Sequence, residues 1–192
     1  MMSDSRELAA KYYDLQDNPT EDIPFYSECV ASLTFAERMG VSARVLELGC
    51  GTGRVLLPVA EVCGFILGVD SSPAMLEICR DKLAQAQIAR AKADVALGDI
   101  TALDVGEQFD LVIAPFRVFQ NLATDAEVDG FFDSIRRHLS PGGSAILNAF
   151  RPSCVPDEMR ARWASPIEEL EADISLPDGR RLKKFGRRTR CE

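Results

Sequence analysis

Residues 45–54 read Val-Leu-Glu-Leu-Gly-Cys-Gly-Thr-Gly-Arg, an apolar run leading into Gly49, Gly51 and Gly53 at every second position. A stretch without Cβ atoms lets a ligand come close to the main chain, and it adopts positive φ without steric penalty. Val55 to Val62 is apolar enough for a helix packed on a sheet. The glycines therefore fall between a strand end and a helix N-terminus, where free N–H groups face a ligand.

Two acids follow at matching places. The apolar run Phe65 to Val69 ends at Asp70, and the weaker run Ala93 to Leu97 ends at Gly98-Asp99. A carboxylate at the end of the second strand can accept two hydrogen bonds from a ribose diol, and Asp70 lies about one strand–helix unit after the glycines. Phe109 to Ala114 is a fourth strand closed by Pro115, which adds Phe116 to the same end of the sheet.

The elements that must position these residues alternate along the chain. Ser72-Pro73 starts a helix with serine as the cap and proline at its first position, running to about Gln87. Thr124 and Glu127 form a capping box ahead of a helix whose apolar face is Val128, Phe131, Phe132, Ile135 and Leu139. Ser140-Pro141-Gly142-Gly143 stops that helix, and Ser144 to Phe150 is the fifth strand. Upstream, Ser3 to Leu15 and Phe25 to Met39 read as two helices separated by Pro19 and Pro24. The alternation predicts an α/β fold: a doubly wound, mostly parallel sheet with helices on both faces, ligands binding at the carboxyl ends of the strands. After Phe150, Ile167 to Leu176 and Leu182 to Thr189 flank a Pro177-Asp178-Gly179 turn and predict a C-terminal β-hairpin.

Composition narrows the partners. In 192 residues, 46% hydrophobic, there is material for one domain or slightly more. The net charge of −8 argues against a nucleic-acid backbone as the main partner. Seven basic residues between Arg180 and Arg190, without aromatic interleaving beyond Phe185, read as a solvated strand. The six cysteines form no Cys-x-x-Cys pair and sit mostly in apolar segments, so no metal site is expected. No apolar run is long enough to span a bilayer and the first residues lack a signal-peptide core, which makes a cytoplasmic location the expectation.

Spacing separates two ligand classes. A dinucleotide fingerprint places its third glycine three residues after the second, and here that position is Arg54. With Gly49, Gly51 and Gly53 alternating, the chain resembles the class I S-adenosylmethionine-dependent methyltransferases over about residues 40–150. The resemblance rests on Glu47-Leu-Gly-Cys-Gly-Thr-Gly53, Gly-Val-Asp70-Ser-Ser-Pro-Ala-Met75, Gly98-Asp99-Ile100, Phe109 to Phe116, and His138-Leu-Ser-Pro-Gly-Gly143, in order and in register. It implies that Glu47 holds the loop and reaches the methionyl ammonium, that Asp70 takes the ribose hydroxyls, and that Asp99 with Ile100 frames adenine. Cys50, Arg54, Ser71, Met75, Pro115 and Tyr13 complete the cofactor contacts expected from it.

The acceptor half is read from departures and neighbours. Ala114-Pro115-Phe116-Arg117 is neither the Asn/Asp-Pro-Pro-aromatic motif nor the Pro-Cys pair of base-methylating relatives, which disfavours base methylation by those two mechanisms, and the N-terminal helices resemble the lid of the family's small-molecule members, which implies a small-molecule acceptor. Phe116, Arg117, Gln120, Asn121 and, from an N-terminal lid, Tyr26 are the substrate candidates. His138 is expected at a helix C-terminus or in solvent, outside the site. The expected organisation is a helical lid (1–40), a cofactor-binding α/β domain (41–150), and a linker with the hairpin (151–192). Only about forty residues follow the fifth strand, so its apolar edge is expected to seek the 165–190 hairpin or a second copy through strand 144–150. Two functions stay open: methylation of a small metabolite at O, N or C, or a cofactor-binding but catalytically incomplete domain that acts as a partner subunit or ligand-responsive module.

Overall fold

A computed structural model describes residues 10–15, 19–36, 43–149, 168–176 and 178–186. These fall into two compact units, one built on a five-stranded sheet and one holding two antiparallel strands. The strands of the first unit are β1 (Arg44–Leu48), β2 (Phe65–Asp70), β3 (Ala93–Leu97), β4 (Phe109–Ala114) and β5 (Leu139–Leu147). All neighbours are parallel, in the order β3-β2-β1-β4-β5. The order reverses between β1 and β4, which puts the ligand crevice at the carboxyl ends of those two strands.

Alternation along the strands sorts side chains to two cores. Val45, Ile66, Leu111 and Ile113 pack under three helices: α1 (Ile23–Ala36), α2 (Leu56–Val62) and α3 (Pro73–Gln85). Ser72 caps α3 through its hydroxyl, which accepts from the Met75 N–H, and Pro73 follows as its first residue. On the other face Leu46, Leu48, Val69 and Val112 meet Phe131 and Ile135 of α4 (Asp125–His138). Thr124 and Glu127 cap α4 reciprocally, as their spacing requires.

The connection from β3 to β4, residues 98–108, contains no helix and still covers this second face with Leu103. Helix α4 holds it in place. The Ser134 hydroxyl accepts from the Leu103 N–H at 3.0 Å, His138 Nε2 accepts from the Val105 N–H at 3.0 Å, and Arg137 donates to the Leu103 carbonyl at 2.6 Å. His138 is thus not a solvated helix terminus: it is 1% exposed, with Nδ1 2.7 Å from the Ser134 carbonyl. With Nε2 accepting from Val105, Nδ1 is the ring nitrogen that donates to the Ser134 carbonyl.

Strand β5 begins five residues earlier than the Pro-Gly-Gly turn suggests. Leu139 already pairs with Phe109, and the extra residues are absorbed in a register shift before Leu111 pairs with Ser144. Ser140 secures the shift by donating its hydroxyl to the Phe109 carbonyl and the Asp110 carboxylate, each at 3.0 Å. Helix α1 starts earlier than expected, at Ile23. In the N-terminal segment, residues 10–13 are helical; the remainder of the expected Ser3–Leu15 helix up to residue 9 lies outside the described residues, as does the 37–39 end of the second.

The second unit pairs β6 (Glu169–Ser175) with β7 (Arg181–Gly186). Its basic strand is charge-matched: Arg181 forms two bonds to Asp173, at 3.0 and 2.5 Å. Gly179 takes φ +83 in the turn between them.

Replacing His138 by alanine leaves the Val105 N–H without its acceptor and opens a void beside Phe109. A loss of about 2–4 kcal/mol is expected in urea unfolding, from an orphaned buried donor plus a cavity. An H138A midpoint equal to the parent's would contradict the role given to this side chain.

Candidate functional site

The glycine loop between β1 and α2 is tied to the end of β2 by main chain and side chain together. The Val69 carbonyl accepts from the N–H groups of Gly49 and Cys50, at 2.7 and 3.0 Å. One Asp70 oxygen accepts from the Gly51 N–H and the other from the Ser72 N–H, both at 2.9 Å. Each carboxylate oxygen keeps lone-pair capacity for a further donor. Gly51 stands at φ +54 with nothing within 4 Å of where a Cβ would be, so its side toward the cleft is open. Gly53 serves packing instead. At φ +87, a Cβ there would lie 2.5 Å from Leu57 Cδ1 and 2.6 Å from Cys79 Sγ.

A cleft of about 520 Å³ opens at this point. It is lined by Tyr13, Gly49, Gly51, Asp70, Ser71, Met75, Asp99, Ile100, Phe116 and Asn121. These ten were expected from the sequence. Ser72, Thr101, Val118, Leu122 and Glu127 join them unanticipated. Thr101 and Glu127 carry recognisable local signals. The Thr101 N–H and hydroxyl hold Asp99 Oδ1 at 2.8 and 2.7 Å and lower the Asp99 carboxyl, while the Ala123 and Thr124 N–H groups lower that of Glu127.

Other expected residues lie elsewhere, for identifiable reasons. Cys50 is buried in the core, where hydrogen bonding to Cys79 and then desolvation push its thiol up, which makes it inert as a nucleophile. Pro115 is buried at the end of β4. Gln120 is exposed on the 3-10 turn Val118–Asn121, away from the cleft lining. Arg117 is exposed with its guanidinium 5.2 Å from the Phe116 ring. Tyr26 is 2% exposed in the core under α1, and burial pushes its hydroxyl up to about 12; it is a packing residue, not a wall of the cleft. Arg54 does not line the cleft either, because its guanidinium is engaged with Asp22, at 2.5 and 2.9 Å, and with the Pro19 carbonyl at 2.7 Å.

Glu47 follows Val45 by two residues and so enters the helix-covered core. It is 2% exposed, and its Oε2 has no hydrogen-bond partner. Burial, reinforced by Cys79 and Asp70 and opposed by Arg54, raises its carboxyl well above the ordinary range. A buried acid left with a bare oxygen at the root of a ligand loop is suited to a cationic partner. Among the described residues no group of three His, Cys, Asp or Glu side chains could hold a metal ion.

The fold favours protonated Glu47, so the stability this group contributes is complete below the ordinary carboxylate value of about 4.3. It is lost as pH rises through Glu47's own higher value. In urea unfolding across that range the ligand-free protein should lose stability that the E47Q variant keeps. Parallel pH profiles for the two proteins would show that ionising Glu47 costs nothing.

Comparison with known proteins agrees with this geometry. Residues 45–143 match the family model described as a methyltransferase domain. The ubiquinone biosynthesis O-methyltransferase of Brucella melitensis biotype 2 is 29% identical over 163 residues, covering 74% of this chain and 62% of that protein. The carboxy-S-adenosyl-L-methionine synthase of Salmonella paratyphi C is 32% identical over 133 residues, 66% of this chain and 52% of that protein. Among solved structures, the glycopeptide N-methyltransferase MtfA complexed with S-adenosyl-L-methionine superposes with a TM-score of 0.55 at 27% identity, over 85% of this chain and 66% of that one. The chain thus spans about 52–62% of the length of these curated relatives. With the matched segment running from β1 into β5 and holding both the glycine loop and Asp70, the chain belongs to the class I S-adenosylmethionine-dependent methyltransferase family.

Proposed function

We propose that this protein binds S-adenosyl-L-methionine in the cleft between β1 and β4 and transfers its methyl group to a small-molecule acceptor. The observation that carries the reading is the pairing of two features: the open face of Gly51 held by Asp70, and the buried Glu47 oxygen that lacks a partner. The residues fit the cofactor. Asp70 accepts from the ribose hydroxyls, Glu47 faces the methionyl ammonium, and the main chain of Gly49 and Gly51 lines the ligand. Asp99 and Ile100 flank adenine, with Ser71, Met75 and Tyr13 closing the remaining sides.

When bound, the cofactor supplies a methyl already activated by positive sulfur. The chain's own task is alignment and exclusion of water, since orientation alone can account for much of the acceleration in such a displacement. Phe116 and Asn121 face the acceptor. The relatives' names include ubiquinone-pathway O-methylation and glycopeptide N-methylation, which supports a small-molecule acceptor for this chain and leaves O and N both open. Self-association is proposed through β5, whose outer edge has no strand beside it among the described residues of the five-stranded sheet. A dimer in sedimentation supports this; a monomer with rapidly exchanging β5 amides removes it.

Calorimetric titration with S-adenosylmethionine, its demethylated product and NAD tests the reading. Both sulfur nucleotides should bind and NAD should not, and D70A should weaken nucleotide binding by about 1.5–3 kcal/mol. Absence of binding by both sulfur compounds would overturn it. Release of the demethylated product with a metabolite panel then separates enzyme from binding module.

A further inference from the structure

Arg54 leaves the glycine loop and reaches three parts of the chain with one guanidinium. It donates twice to Asp22 and once to the Pro19 carbonyl, ahead of α1. Its carbon centre also lies 5.0 Å from the centroid of the Phe116 ring. The Arg54 and Asp22 side chains are only 14% and 24% exposed, so the pair is shielded from water more than a surface ion pair.

Phe116 needs such a hold. It and Arg117 stand consecutively at φ +50 and +64, a left-handed conformation that bulky side chains rarely keep without support from their surroundings. Phe116 also lines the cleft. The neighbouring loop residue Thr52 makes a parallel tie, donating its hydroxyl to Asp14 at 2.7 Å, and Asp14 in turn pairs with Lys82. Asp14 adjoins Tyr13, which lines the cleft from the N-terminal segment.

We propose that Arg54 is a positioning residue: by gripping Asp22 and lying on Phe116, it couples the seating of residues 19–26 to the placement of Phe116, a wall of the cleft. For the reaction, this rests on the reading of the cleft given above. The planar, forked guanidinium is essential to it, because a point charge can satisfy Asp22 without covering the ring. Coupling through one group is reciprocal, so a change at either end must be felt at the other.

Amide hydrogen exchange of the ligand-free full chain tests the proposal. D22N leaves Arg54 and Phe116 in place, yet it should accelerate exchange on the order of tenfold both at residues 22–26 and at 116–118. F116L should do the same from the other end. In the charge-swapped R54D/D22R protein, protection should return at residues 22–26 and stay lost at 116–118, where the guanidinium of Arg54 is gone and only that of Arg117 remains on the ring. Acceleration confined to the mutated end in D22N and F116L would overturn the coupling, as would recovery of both segments in the swap. Dissociation of S-adenosylhomocysteine, followed by stopped flow, should quicken in both single variants; unchanged rates would deny the coupling any part in holding ligand. A parent protein that binds none would refute the functional reading, while exchange alone still decides the coupling.

Discussion

The site depends on a constraint at the junction of two parallel strands. The loop after β1 must turn its main chain toward a ligand, and the polar groups it exposes must be held without covering that side. The end of β2 does this. Val69 offers its carbonyl to Gly49 and Cys50, and Asp70 divides its carboxylate between the Gly51 and Ser72 amides. One acid therefore shapes two loops, the start of the path to α2 and the cap of α3. It also keeps lone pairs for the ribose it is proposed to bind. Removing any of these bonds leaves an amide in a half-buried crevice, where an unmet donor is costly.

The surrounding structure protects this junction unevenly. On the face of α1, α2 and α3 the packing is dense enough that a Cβ on Gly53 would meet Leu57 and Cys79, and Glu47 is sealed in with one oxygen bare. The opposite face is closed without a helix between β3 and β4. There Ser134, Arg137 and His138 on α4 hold residues 103–105 by hydrogen bonds. The first face keeps one buried carboxyl oxygen without a partner; the second meets its polar groups through α4.

What the sequence revealed was local. The alternating glycines, the acid ending each of two strands, Ser72 before Pro73, and Thr124 with Glu127 each act through neighbours a few residues away, so their spacing exposes them. His138 does end its helix outside the site, as read, but its burial was not legible, because its partners, Val105 and Ser134, come from an irregular connection and from its own helix, and only packing brings them to its ring. Arg54 and Tyr26 were misplaced for the opposite reason: both lie close to the site in sequence or space, but Asp22 engages one and the core under α1 buries the other. The early start of β5 was hidden by a Pro-Gly-Gly segment that reads as a turn, whereas the Ser140 hydroxyl lets it pair through a register shift.

The cleft over Gly51 is the proposed seat of S-adenosylmethionine. Amide chemical shifts followed during titration with S-adenosylhomocysteine test it most directly. Saturable changes should be concentrated at Gly49, Gly51, Ser71 and Asp99 to Thr101. Shifts absent there, or gathered instead along the groove between α1 and β5 near Leu33 and Ile146, would contradict it.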